Sequence, residues 1–308
     1  MKRVAAFDCG TNSIRLLIAE FENGEVRELD RRMTIVRLGE GIDQTGEFSS
    51  DALKRTFVAV DDFAKVLKDY EIDAVRFVAT SASRDARNRA EFEIGIFERL
   101  GVKPEIISGD EEAELSFLGA TAELSLSESG PFLVIDIGGG STEFVIGDTT
   151  PAAARSVNIG CVRMTERHLQ SDPPTEAEIA AAELDIDAAI AEAIKVVDVS
   201  QAKEVIGLAG SVTTVAAMAM GLEKYDRNLI HRTVLSSEQV EAACNRLLYK
   251  TQEQRSQLPF MHPGRIDVIG AGALVLRQIM RALPQTHLRI SEHDILDGIA
   301  ARLALSLD

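Results

Sequence analysis

Two stretches of the chain repeat one pattern of apolar and polar positions at an offset of 128 residues, with Asp8 falling on Asp136. Val4-Ala5-Ala6-Phe7-Asp8-Cys9-Gly10-Thr11-Asn12-Ser13-Ile14-Arg15-Leu16-Leu17-Ile18 lies over Phe132-Leu133-Val134-Ile135-Asp136-Ile137-Gly138-Gly139-Gly140-Ser141-Thr142-Glu143-Phe144-Val145-Ile146 without a gap. Each copy reads as a buried apolar strand, an Asp-x-Gly-x-x-Ser turn rich in glycine and hydroxyls, and a second apolar strand, which is a hairpin. Two such hairpins predict two similar domains.

Between and beyond them the pattern alternates strands with helices. A short strand at Thr34–Leu38 leads through a Gly-rich turn to a helix over about 50–70, a buried strand at Val75–Thr80, a polar helix from about Arg84 and a strand at Pro104–Ile107. Ser108-Gly109-Asp110-Glu111 has a capping-box pattern and opens a helix to about Leu124. The Glu/Ser-rich stretch 123–131 then marks a domain boundary. The second half is expected to hold an alanine-rich helix from Thr175 to Val196, a strand at Glu204–Leu208, and mainly helices from about Ser236. Hairpins mixed with βαβ units give an α/β class.

Composition narrows the partners. At 308 residues and 45% hydrophobic content the chain exceeds what one core usually serves, again favouring two domains. The opening Met1-Lys2-Arg3-Val4-Ala5-Ala6-Phe7-Asp8 reaches an acid too early for a secretory segment, and no apolar run approaches bilayer length, so a cytoplasmic protein is expected. A net charge of −16 opposes nucleic acid and anionic membrane as partners, so an anionic substrate needs a local basic groove. Cys9, Cys161 and Cys244 show no CxxC or Cys/His pairing and read as small buried residues. The five histidines show no metal-ligand spacing.

The repeated turns carry the candidate chemistry. Their glycines lack a Cβ, so backbone N–H groups can approach a phosphate, and the following hydroxyls add donors. Asp8 and Asp136 would repel a bare phosphate and make better sense holding Mg²⁺, directly or through its waters, with Glu143 as a further oxygen donor. A tight Asx turn would explain one such loop, but two copies in matching frames weaken that account. A third glycine turn, Gly207-Leu208-Ala209-Gly210-Ser211-Val212-Thr213-Thr214, follows a strand and opens a helix, where N–H groups attract anions; tight helix–strand packing explains it equally well.

Taken together, Asp8 to Ser13, Asp136 to Glu143 and Gly210 to Thr214 resemble the exopolyphosphatase/guanosine pentaphosphatase (Ppx/GppA) family in order and separation. So do Ala79-Thr80-Ser81-Ala82-Ser83-Arg84-Asp85-Ala86, Ile107-Ser108-Gly109-Asp110-Glu111-Glu112-Ala113 and Asn158-Ile159-Gly160-Cys161-Val162-Arg163-Met164-Thr165-Glu166. The resemblance implies duplicated actin-like (ASKHA, ribonuclease H-like) domains with an interdomain active-site cleft, as in actin, heat-shock chaperones and sugar kinases. It places one domain at 1–122, the other at 123–293, and a final helix at about 294–308 packing back on the first.

By motif position Glu112 matches the catalytic glutamate that activates water, whereas Glu111 reads as helix-start electrostatics. Gly10, Thr11, Asn12 and Ser13 with Gly138, Gly139, Gly140, Ser141 and Thr142 would hold phosphates, joined by Arg84, Gly210 and Ser211. Arg84, Arg87 and Arg89 form a candidate basic track, with Arg84 and Arg87 on one helical face and a solvated face equally open for Arg87 and Arg89. The implied reaction is release of terminal phosphate from inorganic polyphosphate with Mg²⁺. The alternatives are hydrolysis of guanosine pentaphosphate and, more distantly, an actin-like kinase or a non-catalytic sensor. Many relatives carry a further C-terminal HD-like module that this chain lacks, which is expected to favour short polymers. A homodimer is a further expectation.

Overall fold

The computed structural model describes residues 2–22, 25–122, 124 and 130–307. It divides into two compact units, Met1–Gly119 with Ile295–Asp308, and Ala120–Asp294. The Glu/Ser-rich stretch 123–131 lies outside the described residues except for Leu124, Gly130 and Pro131.

The first unit runs β1 (Lys2–Cys9), β2 (Ser13–Glu22), β3 (Glu25–Ile35), α1 (Ile42–Thr45), α2 (Ser50–Leu67), β4 (Ala74–Ala79), α3 (Ser81–Asp85), α4 (Arg89–Leu100), β5 (Glu105–Ile106) and α5 (Gly109–Thr121). Its sheet order is β3-β2-β1-β4-β5, with the first three strands antiparallel and β1, β4 and β5 parallel. Strand β1 is covered on both faces. Ala5, Phe7 and Cys9 meet Phe63, Phe77 and Phe92, while Val4 and Ala6 join Leu17, Val78 and Leu115 on the other side. A strand buried on both faces has no polar alternation, hence the unbroken apolar run in the sequence.

The second unit repeats the plan with β6 (Phe132–Ile137), β7 (Thr142–Gly147), β8 (Pro151–Val157), α6 (Cys161–His168), α7 (Glu176–Val196), β9 (Glu204–Leu208), α8 (Ala209–Met220), α9 (Arg227–Ile230), β10 (Val234–Ser236), α10 (Ser237–Leu248), α11 (Gln252–Ser256), α12 (Ile269–Ala282) and β11 (His287–Ile290). The order β8-β7-β6-β9-β11 mirrors the first sheet, and β10 adds an antiparallel edge. This is the duplicated actin-like α/β arrangement. Thr175 caps α7 through a full capping box with Glu178. Among the described residues no helix is long and apolar enough to cross a membrane.

The last helix, α13 (Ile295–Leu305), belongs to the first unit, where Ile295, Leu296 and Ile299 share the apolar face of Val4 and Ala6. Gly298 brings it against the backbone of α5: a Cβ there would lie 2.0 Å from Leu115 O. Gly298→Ala must therefore push the two helices apart, and chemical denaturation should show a loss of about 2 kcal/mol or more.

Three local expectations change, and one strand, β8, had not been foreseen. Strand β3 is longer and earlier than Thr34–Leu38, because it is an edge strand whose charged residues hide its alternation; Arg27, for example, pairs across to Glu20 at 2.9 Å. The other such edge, β8, is alanine-rich and gives no strand signal. The polar helix from Arg84 is two helices that break at Ala86, so Arg84 and Arg87 share no helical face; Arg87 instead donates to Thr45 O at 2.8 Å and pairs with Glu47. Strands β10 and β11 interrupt the helical C-terminal region.

Candidate active site

The duplicated hairpins fold into the same turn. Gly10 N donates to Ser13 O at 3.0 Å, and at the matching position Gly138 N donates to Ser141 O at 3.0 Å. Each turn is braced from behind. In the first unit Val36 N and Arg37 N both donate to Asn12 O, and Gly39 N donates to Thr11 O. In the second, Val162 N and Arg163 N donate to Gly139 O, and the buried Arg163 guanidinium donates to Gly140 O at 2.8 Å. Gly160 permits this contact, since a Cβ there would lie 2.3 Å from Gly139.

The cross-strand partners of the two aspartates differ in charge. Asp8 faces Arg15, whose guanidinium reaches Asp8 Oδ2 at 2.6 Å. Asp136 faces Glu143 across β6 and β7. Both carboxylates of the second pair are buried, Glu143 to 1% exposure, and Ser156 Oγ donates to Glu143 Oε1 at 2.7 Å. The cross-strand pair is thus of opposite charge in the first unit and of like charge in the second. Among the described residues no three His, Cys, Asp or Glu side chains form a ready-made cation cage. Two buried carboxylates nonetheless suit a hard divalent cation, which can take one or two such ligands with water and phosphate oxygens completing its shell.

Glu112 sits in the first turn of α5, 8% exposed, and Arg84 Nη1 donates to its Oε2 at 2.6 Å while also donating to Ile107 O. Burial raises the carboxyl's pKa and the nearby Asp8 adds to that, against the opposing pull of Arg84 and a hydrogen bond with Thr80; the balance lies above the ordinary carboxylate range. Glu111 turns away to Arg76 at 2.8 Å, as a helix-start acid would.

Three buried oxygens around these groups lack a hydrogen-bond partner: Thr11 Oγ1, Asn12 Oδ1 and Ser83 Oγ. A buried polar atom left unmade costs about 1–3 kcal/mol, so a polar ligand at the first turn would be favoured by completing these bonds.

At the third glycine turn, α8 opens at Ala209, with Ser211 buried and Gly210 lying under the guanidinium of Arg265. A Cβ on Gly210 would fall 1.3 Å from Arg265 Nη1, so glycine is required for the cation to lie on the turn. Sequence reasoning missed Arg265, which ends a short 3-10 turn, Pro263–Arg265, far downstream. It also missed the role of Arg15, although the repeat alignment sets Arg15 opposite Glu143. Burial raises the Cys161 thiol above its usual range, leaving it a packing residue beside Ser211.

Known proteins bear on these features. The Ppx/GppA phosphatase family matches residues 17–307. The chain is 45% identical to exopolyphosphatase 2 of Mycobacterium tuberculosis, over 99% of each protein. The crystal structure of an exopolyphosphatase-like protein superposes with a TM-score of 0.96 at 45% identity, covering 99% of this chain and 100% of that one. A Ppx/GppA family member from Aquifex aeolicus superposes with a TM-score of 0.81 at 27% identity, covering 100% and 99%.

Proposed function

The chain belongs to the Ppx/GppA phosphatase family, and from that premise we propose that it is an exopolyphosphatase, a phosphoanhydride hydrolase that releases the terminal phosphate of inorganic polyphosphate with Mg²⁺. The observation that carries the reading is Glu112: a buried carboxyl with a raised pKa, fixed by Arg84, beside hydroxyl and amide oxygens that await a polar ligand. Such a group takes a proton from water near neutral pH better than an exposed glutamate does.

The rest of the site supplies charge neutralisation, which phosphoryl transfer needs more than covalent help. The Gly10–Ser13 and Gly138–Thr142 turns offer backbone N–H groups and hydroxyls to phosphate oxygens. Arg15 cancels the charge of Asp8, so a phosphate can approach the first turn without facing a bare carboxylate. Asp136 and Glu143 would hold Mg²⁺, and Asp8 is the matching carboxylate of the first unit. When bound, the cation stabilises charge on the terminal phosphate. Arg84 keeps the Glu112 carboxylate aimed, and Arg265 on Gly210 offers a cation to a substrate phosphate in the second unit.

Purified protein should release phosphate from polyphosphate in the presence of Mg²⁺, with ATP as a poor substrate. Guanosine pentaphosphate shares the reacting bond but needs room for a base and ribose. Turnover of it at a higher kcat/KM than polyphosphate would move the assignment to a guanosine pentaphosphatase. No release from any of the three would remove the enzyme reading.

A further inference from the structure

A half-buried carboxyl, Glu292, is linked through Arg265 to the third glycine turn. Tyr225 Oη stands 2.5 Å from Glu292 Oε1 and 2.8 Å from Thr213 Oγ1. Thr213 lies near the start of α8, the helix that Gly210 and Ser211 open, and the neighbouring Thr214 hydroxyl is already committed to Gly210 O at 2.6 Å. Arg265, lying on Gly210, acts electrostatically on both Tyr225 and Glu292, so the cluster is continuous with the turn. Arg227 Nε stands 3.6 Å from Glu292 Oε2, and the charge of Asp294 bears on the same carboxyl. The Glu292 backbone N–H donates to His231 Nδ1 at 3.2 Å, and the His293 ring stacks on that imidazole at 4.8 Å.

A phenol has one proton and cannot donate to both neighbours at once. With Glu292 ionised, the carboxylate only accepts: Tyr225 donates to it, and the Thr213 hydroxyl must spend its proton on Tyr225. With Glu292 protonated the chain reverses. The carboxylic acid donates to Tyr225 Oη, Tyr225 donates to Thr213 Oγ1, and the Thr213 proton points away from the tyrosine. No proton leaves the chain beyond the one that Glu292 gains or loses.

We propose that Glu292, acting through Tyr225, sets whether the Thr213 hydroxyl can donate to an anion held at the Gly210–Ser211 turn, which makes Glu292 and Tyr225 positioning residues for a substrate phosphate. The inference rests on the reading of that turn as a phosphate site. Burial is the main force on Glu292 and, with Asp294, holds its pKa above the ordinary carboxylate range despite Tyr225, Arg227 and Arg265. The donor form therefore persists to higher pH than an exposed glutamate would allow. Substrate binding should weaken as pH rises through the Glu292 titration.

The test follows KM and kcat for Mg²⁺-dependent release from short polyphosphate across the acid-to-neutral range, in wild type, Tyr225→Phe and Glu292→Gln. In wild type KM should climb about tenfold as Glu292 ionises, the scale of one hydrogen bond to a charged group. Both variants should flatten that climb, one by cutting the relay and the other by removing its titration, with kcat near the wild-type value. Tyr225→Phe removes a single oxygen and carries the test if Glu292→Gln fails to fold. A purely structural role would lower the melting temperature and leave the KM slope intact; that result overturns the proposal. Wild-type protein that releases no phosphate at any pH fails the proposed function, and this inference with it.

Discussion

Glu112→Gln should slow phosphate release by about 10³-fold while leaving polyphosphate binding in place, because general-base catalysis contributes roughly 10²- to 10⁴-fold. Glutamine keeps an oxygen for Arg84 Nη1 to donate to, so the side chain stays where it is and only its capacity to accept a proton is lost. The pH profile gives an independent handle. A base must be ionised to act, and burial holds the Glu112 pKa above the usual carboxylate value. In wild type kcat/KM should therefore fall as pH drops through that raised pKa, and the acid limb should vanish in Glu112→Gln. Arg84→Gln removes the main charge that favours the ionised form, so its acid limb should move to still higher pH. An unchanged limb in both variants would assign the proton to another group.

The second large effect concerns the cation. Asp136→Asn or Glu143→Gln should raise the Mg²⁺ concentration for half-maximal phosphate release by about 100-fold, since each removes one of two buried carboxylates that face each other across β6 and β7. The effect should be smaller for Asp8→Asn, because Asp8 already has Arg15 at 2.6 Å as its counter-charge. Mg²⁺ titrations of the steady-state rate, run for all three variants at saturating polyphosphate, make the comparison. Equal shifts for Asp8 and Asp136 variants would mean that both turns ligate the cation directly.

What could be read in the sequence follows the physics of each element. The two hairpins were legible because β1 and β6 are covered on both faces, and because the Asp-x-Gly-x-x-Ser turn recurs in frame. Two of the edge strands were not: β3 is rich in Arg and Glu that pair along and across the strand, and β8 (Pro-Ala-Ala-Ala-Arg-Ser-Val) is alanine-rich, so neither shows the alternation that marks a strand. At the site, the motifs pointed to Glu112 and Arg84 separately. That Arg84 grips Glu112 depends on bringing together α3 and α5, 28 residues apart in the chain, which no local pattern encodes. Arg265 left even less trace, since only the missing Cβ of Gly210 explains why a guanidinium can lie there. The charge difference between Arg15 and Glu143 was present in the repeat alignment, and it became informative once the strand register set each opposite its aspartate.

The claim at the centre of this account is that water, activated by Glu112, attacks the terminal phosphorus of the polymer. Hydrolysis of a short polyphosphate in ¹⁸O-labelled water, followed by mass analysis of both products, tests it directly. The account predicts one solvent oxygen in each released phosphate and none in the shortened chain, with release lost in Glu112→Gln. Label in the shortened chain would place the attack on the neighbouring phosphorus, and label in neither product would mean that water is not the nucleophile; either result contradicts it.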